Sequence, residues 1–451
     1  MIEKAPEVDL KVSESTLFRN NVFQYLSEGF SKIEKEYLYW DKVKYLTKEI
    51  DRISGEETEI DAVELWRNIK FKRKLNRKLA FAFLKKSKNS ISVKYELYFN
   101  INDYLQQKLH YLDFNFGAGI QKEQLLSDLD KHKYLSNALM EESIFSSMIE
   151  GATTTRIKAK EMLRKGRKPS NKSEQMILNN YKTIQYISEQ KENELTIEKL
   201  FEIHKLVTEN TLEEENIGKF RISNDVMVMN QITGEIVHTP PSFEELDELM
   251  KLFCDFFNNN PKESFIHPIV KASILHFLIG FIHPFVDGNG RTARALFYWY
   301  LLKNGYWLTE YLSISRVILK TKTQYEKAYI YTEIDDMDVS YFIHYQVKVL
   351  TQAFEDLKNY IAKKKKEENK LSKFLKLPNI NERQAQILFW LEEDENRFFT
   401  VKEIENIFNI TNQTARTDIE ELVEKNYLKK VSINKKSFNY WKGENFETTF
   451  M

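Results

Sequence analysis

The stretch "IHPFVDGNGRTAR", residues 282–294, lies between the apolar runs "ASILHFLIGF" (272–281) and "ALFYWYLL" (295–302), so a charged, glycine-bearing loop joins two apolar segments. Asp287 is a hard oxygen ligand suited to Mg²⁺, which takes one or two carboxylates and completes its octahedron with phosphate oxygens and water. Gly288 and Gly290 let the backbone turn tightly and approach a ligand closely. A helix starting near Arg291 would aim its free N–H groups and positive dipole end into that turn, which makes an anion cradle. Arg291 and Arg294 are three apart, so on a helix they share a face and can reach a polyphosphate from one side. His283, at the end of the preceding helix, would stand across the cradle as a base for an incoming hydroxyl. Together these residues read as nucleotidyl or phosphoryl transfer.

Composition sets the frame around that loop. The chain has 451 residues, enough for about three domains of ordinary size. Its 31 Phe and 23 Tyr support packed cores, whereas only 13 Gly and 8 Pro argue against long flexible linkers and turn-dense β architectures, so the expected fold is mainly α. Lys plus Arg equals Asp plus Glu at 67 each, so any basic surface must be local. Cys254 is the only cysteine, which excludes an intramolecular disulfide and fits a reducing cytoplasm. The first residues show no export signal, and no apolar run is long enough to span a membrane, so a cytoplasmic location with no membrane partner is expected.

Residues 1–110 are aromatic-rich and of unassigned role. Between Arg67 and Lys94 they carry eleven basic residues and no acidic one, readable as a solvated face or as a docking or nucleic-acid surface. From 111 to 350 the pattern is helical, with apolar residues at three and four spacing. The exception is "NDVMVMNQITGEIVHTPP", which predicts a β-hairpin from Val226 to His238. Residues 338–371 read as one long helix, and 351–376 as the linker into a separate module at 377–451.

His-Pro-Phe-x-Asp-Gly-Asn-Gly-Arg-x-x-Arg is the signature of the Fic family, and "HPFVDGNGRTAR" matches it at every specified position. The resemblance covers about residues 111–350 and implies a Fic-type helical bundle that transfers AMP from ATP to a Ser, Thr or Tyr hydroxyl of a target protein. It implies His283 as general base and Asp287 as holder of Mg²⁺ or Mn²⁺. Gly288, Asn289 and Gly290 then cradle the phosphates, Arg291 contacts phosphate and Arg294 meets the γ-phosphate. The hairpin becomes a flap, Val226, Met227, Val228, Met229, Val237 and His238 being its target-binding residues, which adds the target's backbone as a strand. Pro284 stops the preceding helix, Phe285 anchors the loop, and His276 reads as a core histidine.

"SSMIEGA" resembles the family's inhibitory pattern in Ser146, Glu150 and Gly151, on a helix near 133–150. That resemblance implies that Glu150 pairs with Arg294 in the place of the γ-phosphate and leaves ATP misplaced for in-line attack. Removal of AMP, with Glu150 aligning a water, is a rival direction for the same loop. The C-terminal "NERQAQILFWLEE", "TVKEIENIFNITNQTARTDIEELVEKNYLKK" and "SINKKSFNYW" resemble a winged helix-turn-helix domain. Asn412, Gln413, Thr414, Arg416 and Thr417 would lead its second helix into a major groove, with Lys429, Lys430, Lys435 and Lys436 near phosphates. The same helix carries Asp418, Glu420, Glu421 and Glu424, so protein docking or homodimerisation stands beside DNA binding. Two function classes remain: an AMP-transferring enzyme, or a DNA-binding regulator that uses the loop as a nucleotide sensor.

Overall fold

The computed structural model describes residues 2–8, 32–45, 62–87, 90–116, 128–229, 234–259, 265–394, 397–408, 410–434 and 437–446. The flap turn at 230–233, and Lys435 and Lys436, lie outside the described residues. The chain divides into two compact units, Met1–Glu355 and Asp356–Met451.

In the first unit, helix α1 (Ala62–Asn76) leads into an antiparallel hairpin of β1 (Lys78–Ser87) and β2 (Ser90–Phe99), followed by α2 (Asp103–Phe116). Helices α3 (Asp128–Ile149), α4 (Arg156–Lys165), α5 (Lys172–Glu189) and α6 (Ile197–Thr208) come next. The flap strands β3 (Val228–Met229) and β4 (Ile236–His238) precede α7 (Leu246–Asn258), α8 (Pro268–Ile282) and α9 (Asn289–Lys303). Helices α10 (Ile314–Lys320) and α11 (Lys322–Ile334) follow, and α12 (Ser340–Leu375) runs across the division between units.

The core is the α8–α9 pair, apolar nearly all round and buried on nearly every face, as expected of a helix enclosed by others. Pro268 starts α8 at a position where no amide hydrogen is needed, and the chain leaves it through Pro284, which cannot continue a helix.

The expected boundary near residue 110 does not separate compact units. Tyr98 N–H donates to the Met337 carbonyl at 3.0 Å and Val339 N–H to the Tyr98 carbonyl at 2.8 Å, so β2 is stitched to the chain just ahead of α12. Phe81 packs edge-on against Phe256 of α7, and Tyr95 against Phe281 of α8. Part of the basic run is internal pairing, while Lys72, Lys74, Lys78 and Lys94 are exposed. Arg73 is buried, lies 3.8 Å over the Tyr37 ring and donates to Tyr341 Oη at 2.7 Å, while Lys70 meets Asp335 at 2.6 Å.

The second unit has α13 (Glu382–Glu393), α14 (Val401–Phe408), α15 (Asn412–Glu424) and the antiparallel pair β5 (Leu428–Asn434) and β6 (Ser437–Lys442). Phe399 bridges to Tyr440 and adds a third rung to the wing. Asn381 and Gln384 form a capping box on α13, and Thr411 caps α15 through the Thr414 amide. Among the described residues no helix is long and apolar enough to cross a membrane.

Candidate active site

The loop between α8 and α9 is fixed from inside. His283 closes α8 in the left-handed region, with φ 50° and ψ 57°, and its amide bonds the Ile279 carbonyl at 3.0 Å. Its Nδ1 lies 3.2 Å from the Gly280 carbonyl, which can only accept. Nδ1 therefore carries the hydrogen, and Nε2 keeps a free lone pair. Burial lowers the ring's pKa and favours the neutral form that a base requires. Phe285 is fully buried and stacks on His204 with ring centres 3.8 Å apart.

Two expected phosphate ligands turn out to brace the loop. Asn289 accepts from the Phe285 amide at 3.0 Å and donates to the Phe285 carbonyl at 2.8 Å, so both ends of its side chain hold the loop backbone. Arg291 is 1% exposed, donates to the Val207 carbonyl at 2.9 Å and lies 3.6 Å from Asp287. It sits beneath the turn and does not share an open face with Arg294. The helix begins two residues earlier than expected, at Asn289, with Gly288 as N-cap at φ 86°, where a Cβ would also press on Thr208 and His204.

Arg294 is buried and bound to α3. Its Nε donates to Ser146 Oγ at 2.8 Å, and its Nη2 to the Ser146 carbonyl at 3.0 Å and to Glu150 Oε1 at 2.9 Å. A Cβ on Gly290 would collide with the Glu150 carboxylate. A carboxylate thus lies over the N-terminal turn of α9, the place where an anion is favoured. Gly151 follows with φ 90°, ending the helix. Asp287 is half exposed on the lip of the loop. No group of three His, Cys, Asp or Glu gathers among the described residues, so a single exposed carboxylate is the oxygen donor the loop offers to a metal.

The flap pairs Val228 with His238 and Met229 with Ile236. Met227 and Met229 are exposed and Val226, Val228 and Val237 half-buried. His238 departs from expectation: it is buried, with Nδ1 2.8 Å from Glu333 Oε2 and Nε2 2.7 Å from the Phe281 carbonyl. His276 is a satisfied core residue, bonded to Tyr325 Oη at 2.9 Å and Gln346 Nε2 at 3.1 Å.

Two residues that hold the loop were missed. His204 accepts from the Gly218 amide at Nδ1, 3.0 Å, so its Nε2–H donates to the Asp287 carbonyl at 2.9 Å. Arg221 donates from Nε to the His283 carbonyl at 2.9 Å, while its amide donates to the Pro284 carbonyl at 2.9 Å. The sequence signal was a lone His and a lone Arg on amphipathic stretches, which pairing across 62 to 83 residues alone makes meaningful.

In the second unit Gln413, Arg416 and Thr417 are exposed at the start of α15. Asn412 is exposed but donates to Glu405 at 2.9 Å, and Thr414 is half-buried beside Thr411. Asp418 is buried and held by Arg383 at 2.6 Å, so that acid faces the core.

A family model described as Fic/DOC family matches residues 194–301, and one described as a DeoR-like helix-turn-helix domain matches 383–432. The chain is 37% identical over 117 residues to the protein adenylyltransferase Fic of Nematostella vectensis, covering 26% of this chain and 25% of that protein. It is 37% identical over 113 residues to the protein adenylyltransferase Fic of Drosophila willistoni, covering 25% and 21%. The chain thus spans a quarter or less of the length of these curated relatives. A Fic family protein from Desulfovibrio desulfuricans G20 aligns over 75% of this chain and 94% of its own at 17% identity, with a TM-score of 0.47. With the loop, its His283 and the helix-turn-helix unit in place, the chain carries a Fic/DOC family domain followed by a DeoR-like helix-turn-helix domain.

Proposed function

We propose that this protein transfers AMP from ATP to a Ser, Thr or Tyr hydroxyl of a target protein or of itself, and that Glu150 holds it inactive. The target oxygen attacks the α-phosphorus while its proton passes to His283 Nε2. The bond from that phosphorus to the bridging oxygen breaks, and pyrophosphate leaves. The N-terminal turn of α9 and Arg294 hold the phosphates, the loop being kept in shape by Asn289, Arg291, His204 and Arg221. Asp287 suits Mg²⁺ or Mn²⁺, which would neutralise phosphate charge, since such an ion takes most of its ligands from phosphate and water. The flap edge from Val226 to Met229 would pair with the target backbone.

The observation that carries this reading is the Glu150 carboxylate over Gly290, bonded to Arg294 at 2.9 Å. An acidic side chain in an anion cradle marks the cradle and blocks it together. The test is transfer of label from α-labelled ATP, with Mg²⁺ or Mn²⁺, to the protein itself and to proteins of a lysate. Glu150→Gly should raise transfer by about ten- to a thousandfold, because the triphosphate can then settle in line with the acceptor. Arg294→Ala should not activate, and the double variant should match Arg294→Ala alone, since both groups act through one contact. A Glu150→Gly protein no more active than its parent would end the autoinhibition reading.

We also propose that the second unit binds DNA through the start of α15, a reading supported by the exposure of Gln413, Arg416 and Thr417 and the inward turn of Asp418. Binding should weaken steeply with salt; no shift of a DNA duplex at low salt would favour protein docking.

A further inference from the structure

Both ring nitrogens of His238 face oxygens that accept. Nδ1 lies 2.8 Å from Glu333 Oε2 on α11, and Nε2 lies 2.7 Å from the Phe281 carbonyl in the last turn of α8. A neutral imidazole has one N–H and one lone pair, so at one of these contacts a lone pair would be pressed against an oxygen. An imidazolium satisfies both. It also places a positive charge at the C-terminus of α8, where unpaired carbonyls favour one. The ring is 9% exposed and belongs to β4, the flap strand paired to Val228.

We propose that His238 is carried as an imidazolium that latches the flap to the end of α8, two residues before His283, and that the flap loosens when this ring gives up its proton. His238 is then a positioning residue. Glu333 bonds it and His283 lies near enough to feel its charge, while Arg221 precedes the flap and Glu235 lies on its own hairpin. Behind Phe281, Tyr95 packs beside the Lys94 and Glu245 pair.

The consequence for activity rests on the proposed transfer reaction. His283 works without a proton, and burial, together with the nearby His238, lowers its pKa. His238 works with one. The two rings therefore act in opposite protonation states, His283 as a base and His238 as a latch. The latch is whole while His238 holds both ring protons and fails when one is lost.

The test uses the full chain labelled at histidine, whose eight residues are sorted by substitution. At about pH 5.5, His238 should give two slowly exchanging ring N–H signals, both missing in His238→Phe. Protection of the β3 and β4 amides against exchange, corrected for intrinsic rates, should drop about tenfold as the ring deprotonates, as one bond of ordinary strength is lost. Glu333→Gln, which keeps the side chain's size and removes its charge, should move that drop to lower pH. A single ring N–H from His238 at the acidic pH, or flap protection that does not follow its titration, overturns the proposal. Neither readout involves nucleotide. In the Glu150→Gly background, Glu333→Gln should weaken label transfer to lysate proteins. Absence of any label there, with the ring signals as expected, would sink the transfer reaction and leave the latch standing.

Discussion

His204 lies flat on Phe285, and its two nitrogens are committed to Gly218 and Asp287, so the ring is buried as a neutral donor and acceptor. Burial pulls its pKa down to about 4. The unfolded chain takes up that proton near pH 6.5, whereas the folded ring refuses it until about pH 4. Stability from this residue is therefore complete above about pH 6.5 and lost as pH falls toward 4, by up to about 3 kcal/mol. Denaturant midpoints measured across this window should slope less in His204→Asn than in the parent; equal slopes would place the proton uptake elsewhere. His283→Ala should abolish label transfer while leaving ATP affinity within about threefold, because other groups hold the phosphates. A sequence motif tells which residues meet at a loop but not which way each points. The expected pairing of Glu150 with Arg294 is seen at 2.9 Å, with the arginine itself buried. Asn289 and Arg291 were taken for phosphate ligands, yet their side chains meet the Phe285 and Val207 backbone, a choice made by the packing under the turn.

Helix α3 and the residue after it place Glu142, Ser146 and Glu150 four residues apart, along one side. Ser146 and Glu150 bind Arg294, whereas Glu142, fully buried, accepts from the Ser315 amide at 2.9 Å and from its hydroxyl at the N-terminus of α10. One side chain thus locks the helix at the depth where the other two reach the arginine. Glu142→Ala should cost about 2–4 kcal/mol, read as a lower denaturant midpoint, because it leaves buried donors unpaired. It should also raise label transfer with Glu150 still present; loss of stability without gain of activity would show that α3 keeps its depth by other contacts. The helices between residues 111 and 350 were readable from apolar spacing. The β1–β2 hairpin was not, although "SISVKYELYF" alternates from Ile91 to Phe99. Its lysines drew attention to charge, and Leu79, Leu84 and Val93 remain about half exposed, so the alternation does not sort cleanly into inside and outside.

Across the whole molecule, every residue of the proposed chemistry lies in the first compact unit, and the helix-turn-helix has a core of its own built on Phe374, Ile387, Leu388 and Leu422. A chain ending at residue 360 should fold and, with Glu150→Gly, label itself within about threefold of the full chain, as expected when distant parts are independent. A well-folded truncation without transfer would refute this division. The stretch "KKKKEENK" lies within the second unit, past the division at Glu355, and the attachment of residues before 111 was not legible, since it depends on β2 meeting the chain near Met337. The contact between Glu150 and Arg294 joins two parts of one chain, and that fact governs how it responds to concentration. A tethered carboxylate acts as a ligand at millimolar effective concentration or higher, a value that dilution leaves untouched. The ratio of parent to Glu150→Gly activity should then stay constant over about a thousandfold range of protein concentration, whereas a carboxylate lent by a second copy would release the site as copies separate. The chain would carry its own competitor at fixed strength, and the variable that could outbid it is the free nucleotide around it.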